Sequence, residues 1–283
     1  MHLQSQFFKL LFAASLSTIV LFGLLKQNST HTIIATTTIS TTLKPNDTKF
    51  NAFIITASCN SRRFNATKSN LEDHFPNFFR IHCFLTIPLN DSRIHTSNVR
   101  YWKLLSSNLL TFIQLWMYVI PGYSKDNPYQ WSFVFEDDVN FLNASRFYLP
   151  NYLNILQELM NNRQIRYDDG FFYLGICGPE YFNRTPPIFV KNTNESLICK
   201  KGYGYCLHAT AITAKRSRLF WTEIASYRPI SAELSLDHQL RQYSIRSQKD
   251  FYILGSNFEF PPLEEHYGIA YQDRGRFIST VIE

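Results

Sequence analysis

The sequence predicts an α/β fold: a single domain on a mixed, mostly parallel sheet, standing behind an N-terminal membrane anchor. Three observations lead there. Over residues 50–283, short apolar runs rich in aromatic side chains alternate with segments of helical period, the pattern of a sheet covered by helices. Near the N-terminus, residues 10–25 carry no charged side chain. Between these regions lies a Thr/Ser-rich tract with too few large apolar residues to fold alone.

Composition narrows the class further. The chain has 283 residues, 45% hydrophobic and 18% charged, which is enough apolar material for a core and too little charge for disorder. Aromatic residues at 16% against only 10 Gly exclude a collagen-like or low-complexity bulk. The formal charge of +6 invites a nucleic-acid partner. The basic residues are scattered singly and in pairs, however, with no RNA-binding signature, so nucleic acid is set aside. Such an excess suits phosphate-bearing ligands, or carries no functional meaning.

In chain order, residues 1–6 read as a short cytoplasmic tail and residues 7–25 as a signal-anchor transmembrane helix. A bilayer core needs about 20 apolar residues, so the span is short but sufficient. Its rivals are a cleaved signal peptide and a buried helix. Phe22, Leu24, Leu25 and Lys26 stand where a cleavage site would need small residues. Lys9 against Lys26 gives almost no charge bias, so orientation rests on the character of the chain beyond Lys26. Residues 26–49 read as an extended stem. Asn-x-Ser/Thr triplets begin at Asn28, Asn46, Asn65, Asn90, Asn143, Asn183 and Asn194, which together point to a lumenal domain over residues 50–283. The expected topology is single-pass type II, in the Golgi or endoplasmic reticulum membrane. Five cysteines fit that oxidising compartment. Cys59 with Cys83, and Cys199 with Cys206 or Cys177, are the expected pairs; buried free thiols are the alternative.

Within the domain, residues 52–56 form an apolar run ending at Ser-Cys-Asn-Ser, a strand followed by a loop. Apolar residues at 101, 105, 109, 112, 116 and 119 have helical spacing, and Pro121-Gly122 should stop that helix. Residues 131–135 are a compact aromatic run suited to a strand covered on both faces. Pro150 opens a helix through Met160. Residues 171–176 form another buried strand, and residues 214–227 another helix.

The sharpest signal is Glu136-Asp137-Asp138-Val139, where a buried strand ends in three adjacent carboxylates. Open α/β sheets bind ligands at the carboxyl ends of their strands. Adjacent carboxylates repel one another, and a hard divalent cation, Mn²⁺ or Mg²⁺, is a natural compensation. The bland alternative is an acidic turn capping the next helix.

This motif after a hydrophobic strand resembles the metal and nucleotide motif of GT-A glycosyltransferases, and most of all glycosyltransferase family 25, the lipopolysaccharide and procollagen galactosyltransferases. Other pieces fall in the family's order. Ser107-Asn108-Leu109 sits where the family has a Ser-His before a helix, Leu174-Gly175 at the next strand, and the run from Gly204 to Ala211 at the strand after it. Leu236-Asp237 is similar to a late family motif. The departures are Asn108 in place of His, and an opening motif reduced to Ile55-Thr56 with a displaced Arg62 and Arg63.

The resemblance implies a GT-A-like, Rossmann-type domain that uses a UDP-sugar donor and a glycan or glycoprotein acceptor. It places Asp138 on the metal and Glu136 on the ribose, with Asp137 as a secondary contact. Arg62 and Arg63 would meet the diphosphate or the base, unless they are an exposed loop pair. Asp237 is the candidate base for an inverting transfer, or else a helix-capping Asp. His266 is a candidate late metal ligand, beside Glu264 and Glu265. Tyr205 and His208 lie on the strand pattern, in the core or against the acceptor. Two other readings stand beside this one: a catalytically silent relative that binds glycans or assists a partner, and another lumenal metal-dependent enzyme such as a phosphohydrolase.

Overall fold

The computed structural model of the protein describes residues 49–94, 100–124, 127–142, 170–181, 188–189, 197–227, 234–247, 251–256 and 266–273. The chain divides into two units, Met1–Asn46 and Asp47–Glu283, and all described residues belong to the second. The expected anchor at residues 7–25, the stem up to residue 48, the helix from Pro150, and Glu264 and Glu265 lie outside them.

The fold is mixed α/β. Strand β1 (Phe50–Thr56) is buried from Asn51 onward. It leads through Ser61, whose Oγ accepts the Phe64 N–H at 3.0 Å as an N-cap, into helix α1 (Arg62–His74). The expected loop after the strand is present at residues 57–61, but the alternative reading of Arg62 and Arg63 as a loop pair is corrected: they open a helix. The helix is mostly polar and buries only Phe64, Thr67 and Leu71, so it presents a weak periodic signal. Strand β2 (Phe79–Leu85) returns parallel to β1, with Phe50 opposite Phe79. A Cys59–Cys83 disulfide ties it to the loop after β1, as expected.

Helix α2 spans Arg100–Tyr123 and is long and apolar enough to cross a membrane by length and composition alone. It packs on the sheet instead, burying Leu105, Leu109, Phe112, Leu115, Trp116 and Ile120. Pro121 does not stop it. Residues Leu115–Val119 widen into a π turn, and the helix runs one turn further, through Ile120–Tyr123. The wider turn accommodates a residue that has no N–H and whose ring crowds the preceding turn. Ser107 donates to the Ile87 carbonyl, and Thr111 Oγ1 accepts the Ile87 N–H at 2.9 Å. Ser107 therefore pins the helix, while Asn108 is exposed.

The remaining elements are β3 (Trp131–Glu136), β4 (Val139–Phe141), β5 (Phe171–Tyr181), β6 (Ile188–Phe189), β7 (Leu197–Thr213), α3 (Ala214–Tyr227), α4 (Leu236–Ser247), β8 (Phe251–Ser256), β9 (His266–Gly268) and β10 (Ala270–Gln272). The main sheet runs β2-β1-β3-β7-β8-β5-β9, with β6 and β5 also on β7; β4 and β10 form a separate pair. Strands β1, β2 and β3 are mutually parallel. Strand β7 runs against β3, and also against β5, β6 and β8, which therefore share the direction of β1. Only β7 and β9 are reversed among the described strands of this sheet.

Successive side chains leave a strand on opposite faces. Ile54, Phe133 and Phe135 meet Phe64 and Leu71 of α1 in one core. Phe53, Ile55 and Val134 meet Phe112 and Trp116 of α2, Phe220 of α3 and Leu240 of α4 in the other. With both faces covered, β1 and β3 read as uninterrupted apolar runs.

Strand β7 is much longer than a usual strand of about 5–6 residues. It changes partners along its length, from β8 at Leu197–Gly202 to β5 and β3 near its end. Between them Cys206 takes a left-handed backbone, φ 68°. Its sulfur is bonded to Cys177 of β5. This corrects the expected pairing of Cys199, which lies in β7 opposite Ile188.

Candidate functional site

The chemistry-bearing residues gather at the carboxyl ends of β1 and β3. Ile55 lies opposite Glu136, so Thr56 and the turn at Asp137 and Asp138 leave the sheet side by side. The acidic turn caps no helix. It leads into β4, which pairs with β10, and the Asp273 N–H donates to the Asp138 carbonyl at 2.9 Å.

Asp137 is held from three directions. Thr56 Oγ1 donates to its Oδ2 at 2.6 Å, and Arg63 Nη2 lies 2.9 Å from its Oδ1. Thr67 Oγ1, from the buried face of α1, donates to its carbonyl at 2.9 Å. The same Arg63 nitrogen lies 3.2 Å from Oδ2 of Asp138, which is 5% exposed. Glu136 Oε2 accepts from the Gln272 amide of β10 at 3.0 Å.

Asp237 arrives from a distant part of the chain, in the first turn of α4. Its Oδ2 accepts the Cys206 N–H at 3.1 Å, and its Oδ1 accepts the His238 N–H at 2.9 Å. The left-handed backbone at Cys206, rare for a residue with a side chain, turns that amide toward the carboxylate. The Cys177 disulfide fixes the same residue. Beside it lie the rings of Tyr205 and His238, 5.1 Å apart, with the Arg241 guanidinium 5.3 Å from the rings of Tyr203 and Tyr205.

The electrostatics report how close these groups are. Loss of water around Glu136, reinforced by the charges of Asp138 and Asp237, pushes its carboxyl from the ordinary 4.5 up to about 8. The fully buried Tyr173 hydroxyl, which makes no hydrogen bond among the described residues, is also pushed up, first by burial and then by Asp237. Glu136, Asp137, Asp138 and Asp237 are thus acidic groups from two distant segments brought into one region, with Arg63 on Asp137 and Asp138.

This arrangement has a pH signature. Between about 4.5 and about 8 the folded protein holds a proton on Glu136 that the unfolded chain has released. Stability is therefore fully present below the lower value and falls as pH rises through the upper one. The expected slope is at most about 1.4 kcal/mol per pH unit, the value for one proton. Thermal melts of the wild type and Glu136→Gln across this window check it: the variant should show the flatter profile.

The other residues singled out by the sequence are more scattered. Arg62 is exposed and makes no ion pair among the described residues. His266 lies in β9 with its backbone opposite Cys177. His208 is buried, its Nε2 3.3 Å from the Ala270 carbonyl oxygen. Cys177, Cys206 and His208 bring possible ligand atoms within 4.8 Å of one another, but the two sulfurs are bonded to each other. Thr67, Gln272, Tyr173 and the Cys206 amide were not foreseen, and Thr56 was singled out only as part of the reduced opening motif. Gln272 and Tyr173 carry no local signal, since each is recruited by strand pairing.

The donor set suits a hard divalent cation. Its atoms are carboxylate oxygens, and its negative charge exceeds what one guanidinium neutralises. Burial, together with that excess, leaves Glu136 holding a proton. No family model matches the chain, and no curated protein matches it.

Proposed function

We propose that the domain is a metal-dependent glycosyltransferase that moves a hexose, galactose by the family resemblance, from a UDP-sugar to a hydroxyl of a glycan or glycoprotein, with inversion. The observation that carries this reading is that Asp237, held on the Cys206 amide, lies near enough to Glu136 to act on its charge, where β3 ends in Asp137 and Asp138. A GT-A-type transfer needs these two functions side by side, an acidic anchor for the donor and a separate carboxylate for the acceptor. Asp138, with Glu136 next to it, would hold Mn²⁺ or Mg²⁺, which when bound neutralises the leaving diphosphate. Asp237 takes the proton of the acceptor hydroxyl as its oxygen attacks the sugar. The Cys206 amide fixes the direction in which that carboxylate faces.

The test is UDP binding with and without Mn²⁺, then donor turnover on an acceptor array. Binding that ignores the metal would sink the reading. Arg63 favours a second one, the silent relative: a guanidinium already paired with both aspartates can take the place of the metal permanently. That protein would bind no Mn²⁺ and turn over no donor.

The proposed location is the Golgi or endoplasmic reticulum membrane, with residues 7–25 as the anchor and the domain lumenal. Both triplet asparagines among the described residues, Asn65 and Asn90, are exposed. Glycosidase treatment should increase gel mobility, and alkaline carbonate should leave the protein in membranes. A chain that remains unglycosylated in a secretory host would contradict this topology.

A further inference from the structure

We infer that Arg63 is a resident cation that couples metal entry to nucleotide binding: it neutralises Asp137 and Asp138 in the empty site, and a divalent cation displaces it only when a diphosphate is present to receive the guanidinium. This rests on the metal-dependent reading above and adds a regulatory step to it.

Three observations carry it. One Arg63 nitrogen lies 2.9 Å from an Asp137 oxygen and 3.2 Å from an Asp138 oxygen, so it bridges Asp138, the acid expected on the metal, and its neighbour Asp137. A guanidinium and a divalent cation cannot share Asp138 without strong like-charge repulsion. One must yield. Second, the guanidinium is not needed to hold the turn. Thr56 fixes the Asp137 carboxylate at 2.6 Å and Thr67 fixes its carbonyl at 2.9 Å. Its effect on the turn is therefore mainly one of charge. Third, Arg63 is the second residue of α1, and its side chain keeps 22% of its surface exposed. A long side chain so placed has somewhere to go, and a diphosphate, which offers two oxygens, is a suitable bidentate partner when it leaves.

The coupling is reciprocal: if UDP raises the affinity for Mn²⁺, Mn²⁺ raises the affinity for UDP by the same factor. The experiment is Mn²⁺ titration of the full chain in detergent, with and without UDP, for the wild type, Arg63→Gln and Arg63→Lys. In the wild type, UDP should tighten Mn²⁺ binding about tenfold or more, within the usual range of coupling. Arg63→Gln should bind Mn²⁺ alone about tenfold more tightly than the wild type, and UDP should add little. Arg63→Lys keeps the charge and should retain most of the coupling.

Equal Mn²⁺ affinity in the wild type and Arg63→Gln would overturn the inference and leave the metal reading intact. So would a wild type that binds Mn²⁺ tightly without UDP and gains nothing from it, a result that needs no variant to fold. Absence of Mn²⁺ binding in every protein, with and without UDP, would overturn the metal reading and this inference with it.

Discussion

Asp138→Asn abolishes Mn²⁺-dependent binding of a UDP-sugar and leaves the fold intact. The amide matches the carboxylate in shape, and the Asp138 carbonyl still accepts the Asp273 N–H. Asp137 remains anchored by Thr56, Thr67 and Arg63. What changes is the charge, and with it the ion pair to Arg63, at a side chain that is nearly inaccessible to water. There it is poorly screened, and charge stabilisation of this kind is worth about 3–4 kcal/mol, a factor of 10²–10³ in rate. Asp237→Asn provides the contrast. Its oxygen still accepts the Cys206 N–H, so donor binding survives, while turnover falls because an amide takes no proton. Calorimetry for binding and single-turnover rates for transfer read the two separately. Unchanged Mn²⁺ dependence in Asp138→Asn would reduce the strand-end acids to a turn.

Gly268→Ala costs about 4 kcal/mol, at the upper end of single substitutions. Gly268 has φ 126°, a conformation closed to residues with a side chain. A Cβ there would lie 2.2 Å from the Leu174 carbonyl oxygen and 2.8 Å from the Gly175 Cα. Both obstacles are backbone and belong to β5, so no rotamer change relieves them. The effect reaches the site, because β9 leads directly into β10, whose Gln272 bonds Glu136. Denaturant unfolding should show the midpoint collapse, or the variant should fail to fold. Gly122→Ala is the control: it is exposed in the last turn of α2 with nothing within 4 Å of a new Cβ, and stability should hold or rise slightly.

Much of the scaffold was legible before the structure. The strands at β1 and β3, the helix packed on them at α2, and α3 over residues 214–227 all announced themselves through period and apolar runs. Helix α1 did not. With three buried residues in thirteen it has almost no amphipathic stripe, so nothing in the local period marks Arg62 and Arg63 as the start of a helix. The π turn at Leu115–Val119 was equally hidden, since Pro121 signals a helix end wherever the preceding turn cannot widen to accommodate it.

The candidate site divides in the same way. The sequence by itself determined the local facts: three carboxylates in succession at the end of a buried strand, and an arginine pair after the first strand. These depend on neighbours along the chain, which is the range over which hydrophobic period and residue chemistry speak. Only the tertiary structure decided which of them meet. The reversed strand β7 and its left-handed Cys206 bring Asp237 near Glu136. The helical turn at the start of α1 lays Arg63 across Asp137 and Asp138, and the β4–β10 pair delivers Gln272. The second disulfide joins Cys177 to Cys206, leaving Cys199 out. These contacts depend on strand order and on local backbone geometry, the left-handed Cys206 among it. Both are set by the packing of the whole sheet and so leave no mark in the local pattern of residues.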